Sequence, residues 1–462
     1  MPSRSSSLDT GRKNMQLRVA IVGAGPAGIY AAESLVKQSE HLDVSIDLFE
    51  RLPAPYGLVR YGVAPDHPRI KGIVSALQEI LDTGHIRFFG NVNYGTDITL
   101  GDLKRHYHAT IFATGAIRDA DLDIPGIDLP GSYGAADFVS WYDGHPDAPS
   151  AWPLDQRAVA VIGNGNVALD VARILVKRPE DLYPTEIPHH VYETLKNSQV
   201  TDVHVIGRRA PWDAKFTPLE LRELGDLADV DIMLDHSDFE GSSAEPVAQE
   251  RSKQQDVISK IFANWRTRPL VQATRRLHFH FFSRPDSVEG VHKVDRLRLE
   301  RMGRTGDGTF LPTGRFSNLE IGAVYRAVGY FGSPLPGLPF DEERGVIPNE
   351  AGQVVGASGE GLDGLFVTGW IKRGPVGLIG HTKSDAMETT ARLLRSGSAW
   401  WSPDEHHPDA LPRLLLARGV VFTDLVGWVR LDANERRLGQ LSGKSRLKIT
   451  DRDRMVEISA PR

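Results

Sequence analysis

Two clusters of small residues in this chain have the spacing that binds the phosphates of a dinucleotide. They lie in the segments VAIVGAGPAG and VIGNGNVA and comprise Gly23, Gly25 and Gly28, then Gly163, Gly165 and Ala168. In this G-x-G-x-x-G/A pattern the first glycine allows a tight turn, the second lets the backbone approach a pyrophosphate, and the third small residue lets helix and strand pack closely. The N-terminus of the helix then faces the negative phosphates. The chain is therefore expected to hold two dinucleotides.

Charged residues after the next strand distinguish the two sites. Glu50 ends the strand VSIDLFE after the first cluster, where a carboxylate accepts hydrogen bonds from ribose hydroxyls. The strand VHVIG after the second cluster is followed instead by Arg208 and Arg209, and arginines at this position suit a 2′-phosphate. We therefore expect FAD at the first site and NADPH at the second.

The order of apolar strands and helices predicts an α/β fold with two Rossmann-like dinucleotide-binding domains. The segment DIPGIDLPG is an expected crossing from the first domain to the second, and the strand GLFVTGW is expected to lead back to the flavin. The NADPH domain is thus predicted to be inserted into the FAD domain. The predicted divisions are a disordered tail at 1–15, a split FAD domain at 16–117 and 328–397, an NADP-binding domain at 118–327, and a C-terminal extension of unknown role at 398–462.

The stretch 51–71, which reads RLPAPYGLVRYGVAPDHPRIK, is rich in proline and glycine. Such a composition favours a structured loop over a helix. Its charged residues Asp66 and Lys71 are interpreted as ordinary loop charges.

Composition is that of a globular enzyme and excludes several classes of protein. The net charge of −6 argues against a general nucleic-acid binder. The chain has no cysteine, which excludes a Cys-x-x-Cys redox centre and a cysteine-bound iron–sulfur cluster of its own. No apolar run approaches the length of a membrane span, and the start lacks the apolar core of a signal peptide. We expect a cytoplasmic monomer with no nucleic-acid or membrane partner.

Family-specific motifs appear in order along the chain. They are GLVRYGVAPDHP, FGNVNYG, VIGNGNVALDVARIL, GRRAPWDAKFTPLELREL, AVGY with PGLPFDEERGVIPN, and VTGWIKRGPVGLIGHTKSDAMET. With these motifs the chain resembles the ferredoxin–NADP⁺ reductases of the adrenodoxin reductase type from about Leu17 to Leu394. The resemblance implies an enzyme that transfers a hydride from NADPH to FAD and then single electrons to a small acidic iron–sulfur ferredoxin.

The resemblance also implies site residues. For FAD they are Gly23, Gly25, Ala27, Gly28, Glu50, Leu58, Val92, Trp370, Gly377, Leu378 and Ile379. For NADP they are Asn164, Gly165, Asn166, Val167, Arg208, Arg209, Glu220 and Gly377. His67 and Glu223 match the histidine and glutamate that this family pairs at its active site. Without the resemblance, a structural histidine is as plausible as a functional one at position 67, and a solvated helix face is the favoured interpretation of Glu220 and Glu223.

Two further predictions concern metals and the partner. No metal site is expected, because His381, Asp385, His406 and His407 lack metal-ligand spacing. An acidic ferredoxin should dock on a basic face, for which a helix around 245–268 is the candidate. Its apolar stripe is Ile258, Ile261, Phe262 and Trp265, and its basic residues are Arg251, Lys253, Lys260, Arg266 and Arg268.

Two other classes of function remain open from the sequence. A flavin monooxygenase also uses FAD and NADPH, but it would couple oxygen consumption to a hydroxylated product. A redox sensor would bind both nucleotides without turnover, so NADPH oxidation with an artificial acceptor would exclude it.

Overall fold

The computed structural model describes residues 16–39, 42–239, 252–375 and 379–461; the predicted tail at 1–15 lies outside them. The strands are β1 (Gln16–Val22), β2 (Asp43–Glu50), β3 (Ile86–Gly90), β4 (Ala109–Phe112), β5 (Arg118–Asp119), β6 (Ser132–Gly134), β7 (Ala158–Ile162), β8 (Asp202–Ile206), β9 (Val230–Leu234), β10 (Arg275–His280), β11 (Ser283–Glu289), β12 (Arg296–Arg304), β13 (Phe310–Glu320), β14 (Ala323–Arg326), β15 (Tyr330–Phe331), β16 (Asn349–Glu350), β17 (Gln353–Val355) and β18 (Gly361–Val367).

Helices follow most of these strands. They are α1 (Pro26–Gln38), α2 (Leu58–Tyr61), α3 (Pro68–Lys71), α4 (Ile73–Leu81), α5 (Leu100–His106), α6 (Ala135–Tyr142), α7 (Asn166–Val176), α8 (Pro179–Leu182), α9 (His189–Lys196), α10 (Pro218–Gly225), α11 (Lys253–Thr267), α12 (Trp370–Arg373), α13 (Ile379–Arg395), α14 (Ala410–Ala417), α15 (Leu425–Leu441) and α16 (Arg452–Ser459). Among the described residues, none of these helices has the length and apolar character needed to cross a membrane.

Two large sheets carry the two glycine clusters. The first has the order β16-β17-β18-β4-β1-β2-β3, and the second has the order β6-β14-β7-β8-β10-β9. All strand pairs of the second sheet are parallel, as are those from β18 to β3 in the first. Parallel strands are joined by crossover connections, which usually contain a helix. Each glycine cluster lies in such a connection: the first joins β1 to α1, and the second joins β7 to α7. The predicted fold class is confirmed.

A short ribbon joins the two sheets. Arg118 and Asp119 of β5 pair antiparallel with Phe331 and Tyr330 of β15. The strand AVYR (β14) pairs with β6 and β7 inside the second sheet. The return to the first sheet therefore begins after Arg326.

The stretch 51–71 is more regular than its composition predicts. It contains two four-residue helices, α2 and α3. Pro68 stands at the first position of α3, where its missing N–H costs no hydrogen bond. Proline therefore begins one of these helices and does not prevent it.

The C-terminal extension packs against the first sheet. Thr423 forms an antiparallel bridge with Gly90 at the edge strand β3. The indole of Trp428 in α15 is fully buried against Tyr56 and donates to Gln78 Oε1 at 3.0 Å. Leu411 and Leu415 of α14 join the core on one face of the first sheet.

Candidate functional site

The first glycine cluster and Glu50 meet at the carboxyl end of the first sheet. Gly23 N donates to Phe49 O at 2.7 Å, and Ala24 N donates to Glu50 Oε2 at 2.9 Å. A side chain at Gly28 would collide with the carbonyl of Gly23, which explains the small residue at the third position. Burial raises the pKa of the Glu50 carboxyl. The predicted ribose acceptor therefore also fixes the loop that it serves.

Other residues predicted to contact FAD surround this loop. Val92 is buried, and its N–H donates to Glu50 O at 2.9 Å. Leu58 begins α2 beside Gly57, whose Cα lies 3.9 Å from the Cβ position at Gly25. A Cβ at Gly369 would lie 2.6 Å from Ala27 Cβ, so the Trp370 segment reaches the start of α1.

Part of the predicted flavin end cannot be placed. Gly377 and Leu378 lie outside the described residues, and Ile379 begins α13 without a described side chain. Trp370 stacks on Tyr330, with ring centroids 6.5 Å apart. The sequence interpretation missed Tyr330, although the AVGY motif contains it.

The second cluster has the open geometry that an anion needs. A Cβ at Gly165 would meet no atom within 4 Å. Asn164 Nδ2 is buried without a hydrogen-bond partner among the described residues. Gly163 N donates to Ile206 O at 3.0 Å, which brings the loop to the end of β8 and so toward Arg208 and Arg209. Arg208 is exposed and Arg209 is half-buried. An open glycine, an unpaired buried donor and two arginines together fit a pyrophosphate with a 2′-phosphate.

Asn166 connects this loop to helix α10. Its Oδ1 accepts a hydrogen bond from Thr217 N at 2.8 Å. Thr217 caps α10, where Pro218 stands at the first helical position and Glu220 and Glu223 follow. The capping threonine and the proline define the start of this helix. The adjacent Val167 is half-buried, at the start of α7.

His67 lies between α7 and α10 and touches both helices. Its Nδ1 is 3.3 Å from Glu223 Oε2, and its Nε2 is 3.2 Å from Glu220 Oε2 and 3.1 Å from Asp170 Oδ1. The imidazole is 6% exposed. The predicted pair of His67 and Glu223 is therefore in contact in the structure, within a larger group of charges. Its catalytic role stays a prediction.

Three carboxylates keep a proton on this imidazole. Burial by itself would lower the pKa of His67, but hydrogen bonds to Asp170 and Glu220 outweigh it and raise that pKa to about 9. Arg173 Nη2 lies 2.6 Å from Nε2, a contact that favours the neutral ring. The surrounding negative charge is larger, so we assign the protonated form at neutral pH.

The sequence interpretation was wrong about Asp66 and missed Arg173. The side chain of Asp66 is 5% exposed and accepts hydrogen bonds from Arg173 Nε at 2.9 Å and Lys177 Nζ at 2.8 Å. Burial would raise the pKa of Asp66, but Arg173 lowers it well below its usual range. Arg173 also lies 2.7 Å from Asp170. Asp170 and Arg173 are three residues apart in the apolar segment VALDVARIL, a polar pair that could have signalled a buried contact.

His67, Glu220 and Glu223 offer ligand atoms within 4.8 Å of one another, a spacing that a metal ion could use. Arg173 Nη1 lies 3.6 Å from Glu220 and 3.9 Å from Glu223, however, and so already supplies positive charge. The histidine proton supplies more. We therefore interpret this group as a network of ion pairs.

The predicted docking helix has a different role in the structure. Residues 245–251, including Arg251, lie outside the described part, and α11 covers Lys253–Thr267. Its apolar stripe is not available to a partner, because Ile258, Phe262 and Trp265 are buried in the core of the second sheet and Ile261 packs against that core. Arg266 lies over the ring of Phe239. Lys253 and Lys260 are exposed.

Asp385, one of the residues without metal-ligand spacing, forms a nearly buried ion pair in the structure. Its carboxylate accepts a hydrogen bond from Gly369 N at 2.6 Å and lies 2.8 Å from Lys372 Nζ. It thereby fixes the turn before Trp370.

The chain is similar to known proteins over nearly its whole length. The family described as pyridine nucleotide-disulphide oxidoreductase matches residues 17–209. NADPH-ferredoxin reductase FprA of Mycobacterium tuberculosis (strain ATCC 25618 / H37Rv) is 41% identical over 456 residues, covering 95% of this chain and 98% of the relative. The mitochondrial NADPH:adrenodoxin oxidoreductase of Homo sapiens is 36% identical over 474 residues, covering 99% and 94%. The solved structure of Mycobacterium tuberculosis FprA in complex with NADPH is 40% identical with a TM-score of 0.89, covering 96% of this chain and 100% of that chain.

Proposed function

Because the chain belongs to the NADPH–ferredoxin reductases of the adrenodoxin reductase type, we propose that it oxidises NADPH, uses FAD as its flavin, and passes single electrons to an iron–sulfur ferredoxin. The family and its two cofactors are those that the motifs predicted. The observation that carries the proposal is the contact between the two halves of the site. His67, from the stretch that follows the Glu50 strand, meets the carboxylates of α7 and α10, which adjoin the second glycine cluster.

Each cofactor has residues suited to hold it. We propose that Glu50 binds the FAD ribose and that Ala27, Leu58, Val92 and Trp370 line the rest of the flavin site. Bound FAD would supply the redox chemistry, accepting a hydride and releasing electrons singly. Arg208 and Arg209 would hold the 2′-phosphate of NADPH, and Asn164, Asn166 and Val167 its pyrophosphate. The nearly buried His67 would keep a proton close to Glu220 and Glu223 and limit access of water to the nicotinamide side.

The domain division is also a proposal. The first sheet takes its strands from Gln16–Val22 through Ala109–Phe112 and again from Asn349–Glu350 onward, whereas the second sheet uses strands between Ser132–Gly134 and Ala323–Arg326. This supports an FAD domain at 16–117 and 328–397 with an NADP-binding domain at 118–327 between its parts. Limited proteolysis with and without each nucleotide would test the division.

The test of the function is NADPH-driven reduction of a panel of purified ferredoxins, followed by the spectrum of each ferredoxin and of the flavin. We expect at least one ferredoxin to be reduced with two molecules per NADPH. NADPH consumption that yields a hydroxylated organic product, with no ferredoxin reduced, would contradict the proposal.

The raised pKa of His67 predicts how the rate of NADPH oxidation depends on pH. Hydrogen bonds to Asp170 and Glu220 outweigh burial and raise the pKa of His67 to about 9, so we expect the ring to lose its proton above that pH. If reduction of the flavin by NADPH requires the protonated ring, kcat/KM for NADPH with a quinone acceptor should fall above about pH 9. The slope of this decrease should be that of a single deprotonation. His67→Gln should remove this alkaline limb.

A matched control is His204→Gln on β8. Burial lowers the pKa of His204 to about 3, so this ring is neutral throughout the alkaline range. The limb should persist in His204→Gln. An unchanged limb in His67→Gln would assign the titration to another group.

Ionic strength should affect electron transfer to the ferredoxin more than electron transfer to a neutral quinone. We propose that the ferredoxin is acidic and is steered by exposed lysines such as Lys253 and Lys260. Raising the ionic strength from low to ~0.5 M shortens the Debye length below ~8 Å and should lower kcat/KM for ferredoxin severalfold, chiefly through association. With NADPH saturating, the rate with a neutral quinone should change much less.

A charge-reversal variant tests whether the exposed lysines of α11 belong to the face that binds ferredoxin. Lys253→Glu with Lys260→Glu should mimic high salt for ferredoxin and preserve the quinone rate. The matched control, Lys196→Glu with Lys293→Glu, changes the net charge equally at two other exposed lysines. If both double variants slow ferredoxin reduction equally, overall charge and not α11 directs docking.

A further inference from the structure

The C-terminal extension contacts the 51–71 segment, which carries His67. Two buried groups of charged side chains make these contacts. The first, the Asp143 cluster, consists of Lys71, Asp143, Glu186 and Lys448. The second, the Glu435 cluster, consists of Arg60, Asp432, Glu435 and Arg446. Each cluster contains two positive and two negative side chains.

Lys448 is the central donor of the Asp143 cluster. Its Nζ donates to Arg60 O at 2.6 Å, Asp143 O at 2.8 Å and Asp143 Oδ1 at 2.9 Å, and it lies 3.3 Å from Glu186 Oε2. The side chains of Lys448 and Asp143 have no exposed area. All three ammonium donors are thus used, and they join the extension to the 51–71 segment and to the residues after α6.

The Glu435 cluster holds the same segment at one point. Arg60 Nη2 bonds both oxygens of Glu435, at 2.6 and 2.8 Å, and Arg446 Nη1 bonds Glu435 Oε2 at 2.8 Å. Ile449 N donates to Glu435 Oε1 at 3.0 Å. Glu435 is fully buried, so breaking this pair would leave an uncompensated charge.

His67 lies in the part of the chain between these anchors. Arg60 is anchored on one side, and Lys71, 3.2 Å from Asp143 Oδ1, on the other. Lys71 N donates to His67 O at 3.1 Å within α3, whose N-cap residue is His67. The side chain of His67 meets α7 and α10, so its contacts depend on where the 51–71 segment stands relative to the second sheet.

We propose that Lys448 is a positioning residue: by binding Arg60 O and Asp143 together, it fixes the His67 segment against the second nucleotide unit and thereby sets the contacts of His67 with Asp170, Glu220 and Glu223. The proposal rests on the proposed function only for the importance of those contacts. It assigns the C-terminal extension a part in the active site that it does not itself enter.

The test measures the pKa of His67 by NMR in the histidine-labelled holoenzyme. The charged groups facing the ring are Asp66, Asp170, Arg173, Glu220 and Glu223. In Lys448→Met the ring should move away from these carboxylates, and its pKa should fall by at least about one unit toward the ordinary ~6.5. NADPH-dependent flavin reduction should slow about tenfold at saturating NADPH, as small misplacements do, with KM for NADPH nearly unchanged.

Lys444→Met is the matched control. Lys444 is a buried lysine of the same extension, but its Nζ donates to Ile187 O at 2.8 Å and lies over the ring of Tyr183, both on the side of the second sheet. This variant should keep the His67 pKa near 9. An equal shift in both variants would overturn the specific role of Lys448.

Lys448→Arg covers the case in which Lys448→Met does not fold. Arginine keeps the charge, but its planar donors cannot reproduce the three-way contact of an ammonium, so the His67 pKa should fall in this variant as well. A folded Lys448 variant with bound FAD, an unchanged His67 pKa and a flavin reduction rate within about twofold of wild type would overturn the proposal. Failure of the wild-type enzyme to oxidise NADPH would instead reject the proposed function, while the NMR shift would still test the position of the segment.

Discussion

Replacing Arg208 and Arg209 together with leucine is expected to lower kcat/KM for NADPH by about two to four orders of magnitude and to leave kcat/KM for NADH nearly unchanged. Each arginine can make charge-assisted bonds to the 2′-phosphate worth about 1.5–3 kcal/mol, and tenfold corresponds to ~1.4 kcal/mol. The loss should appear mainly in KM, because the 2′-phosphate is bound equally in the ground and transition states. Steady-state kinetics with both coenzymes measure it.

Arg276→Leu is the control for this variant. Arg276 is the second residue of β10, at the opposite end of the second sheet from the glycine loop, and its Nε lies 2.7 Å from Asp202 Oδ1. Its loss removes one positive charge from the same sheet without reaching the loop. A double variant at 208 and 209 that still prefers NADPH strongly would show that other residues bind the 2′-phosphate.

Both nucleotide loops could be predicted from the sequence because their parts are contiguous. A strand, a glycine turn and a helix follow one another within each loop. Glu50 ends the next strand in the first unit, and Arg208 closely follows the next strand in the second. In a parallel sheet, that order fixes their relative position. The hydrogen bonds from Ala24 N to Glu50 and from Gly163 N to Ile206 O are what such a unit requires.

The charges that join distant segments could not be predicted in this way. Asp66 contacts Arg173, and Lys71 contacts Asp143, across large separations in the chain. A polar residue in a proline-rich loop looks the same whether it faces water or a buried arginine, because local composition carries no information about the other segment. The resemblance supplied the pair of His67 and Glu223 but not the surrounding ion pairs.

The apolar stripe of α11 shows the limit of periodicity. The spacing of Ile258, Phe262 and Trp265 correctly indicates one apolar helix face. That face is buried against Phe279 of β10 and Phe281, which follows β10. The pattern indicates that this face is covered, but it does not indicate whether the protein's own core or a partner covers it. A partner surface has to be sought on the other side of the helix, where Lys260 is exposed.

Replacing Glu50 with alanine is expected to give a protein that is purified pale and that releases FAD on dilution. The carboxylate would accept bonds from the ribose hydroxyls, worth about 1.5–3 kcal/mol for a bond to a charged group, so FAD affinity should fall by roughly one to two orders of magnitude. Glu50 also accepts the N–H groups of Ala24 and Leu52, at 2.9 and 3.2 Å. Its loss therefore loosens the loop as well as the ribose contact. Release of flavin fluorescence on dilution measures the effect independently of activity.

Two further variants separate the ribose contact from the loop. Glu50→Gln keeps one acceptor oxygen and should bind FAD with intermediate affinity, because the hydrogen bonds lose their charge. Asp43→Ala removes an exposed carboxylate at the opposite end of the same strand and should keep FAD fully bound. The Arg208 and Arg209 variant should also remain yellow, since those residues belong to the other loop. If Glu50→Ala keeps stoichiometric FAD with unchanged affinity, then the ribose is bound by other residues and the carboxylate serves only the backbone of its own loop.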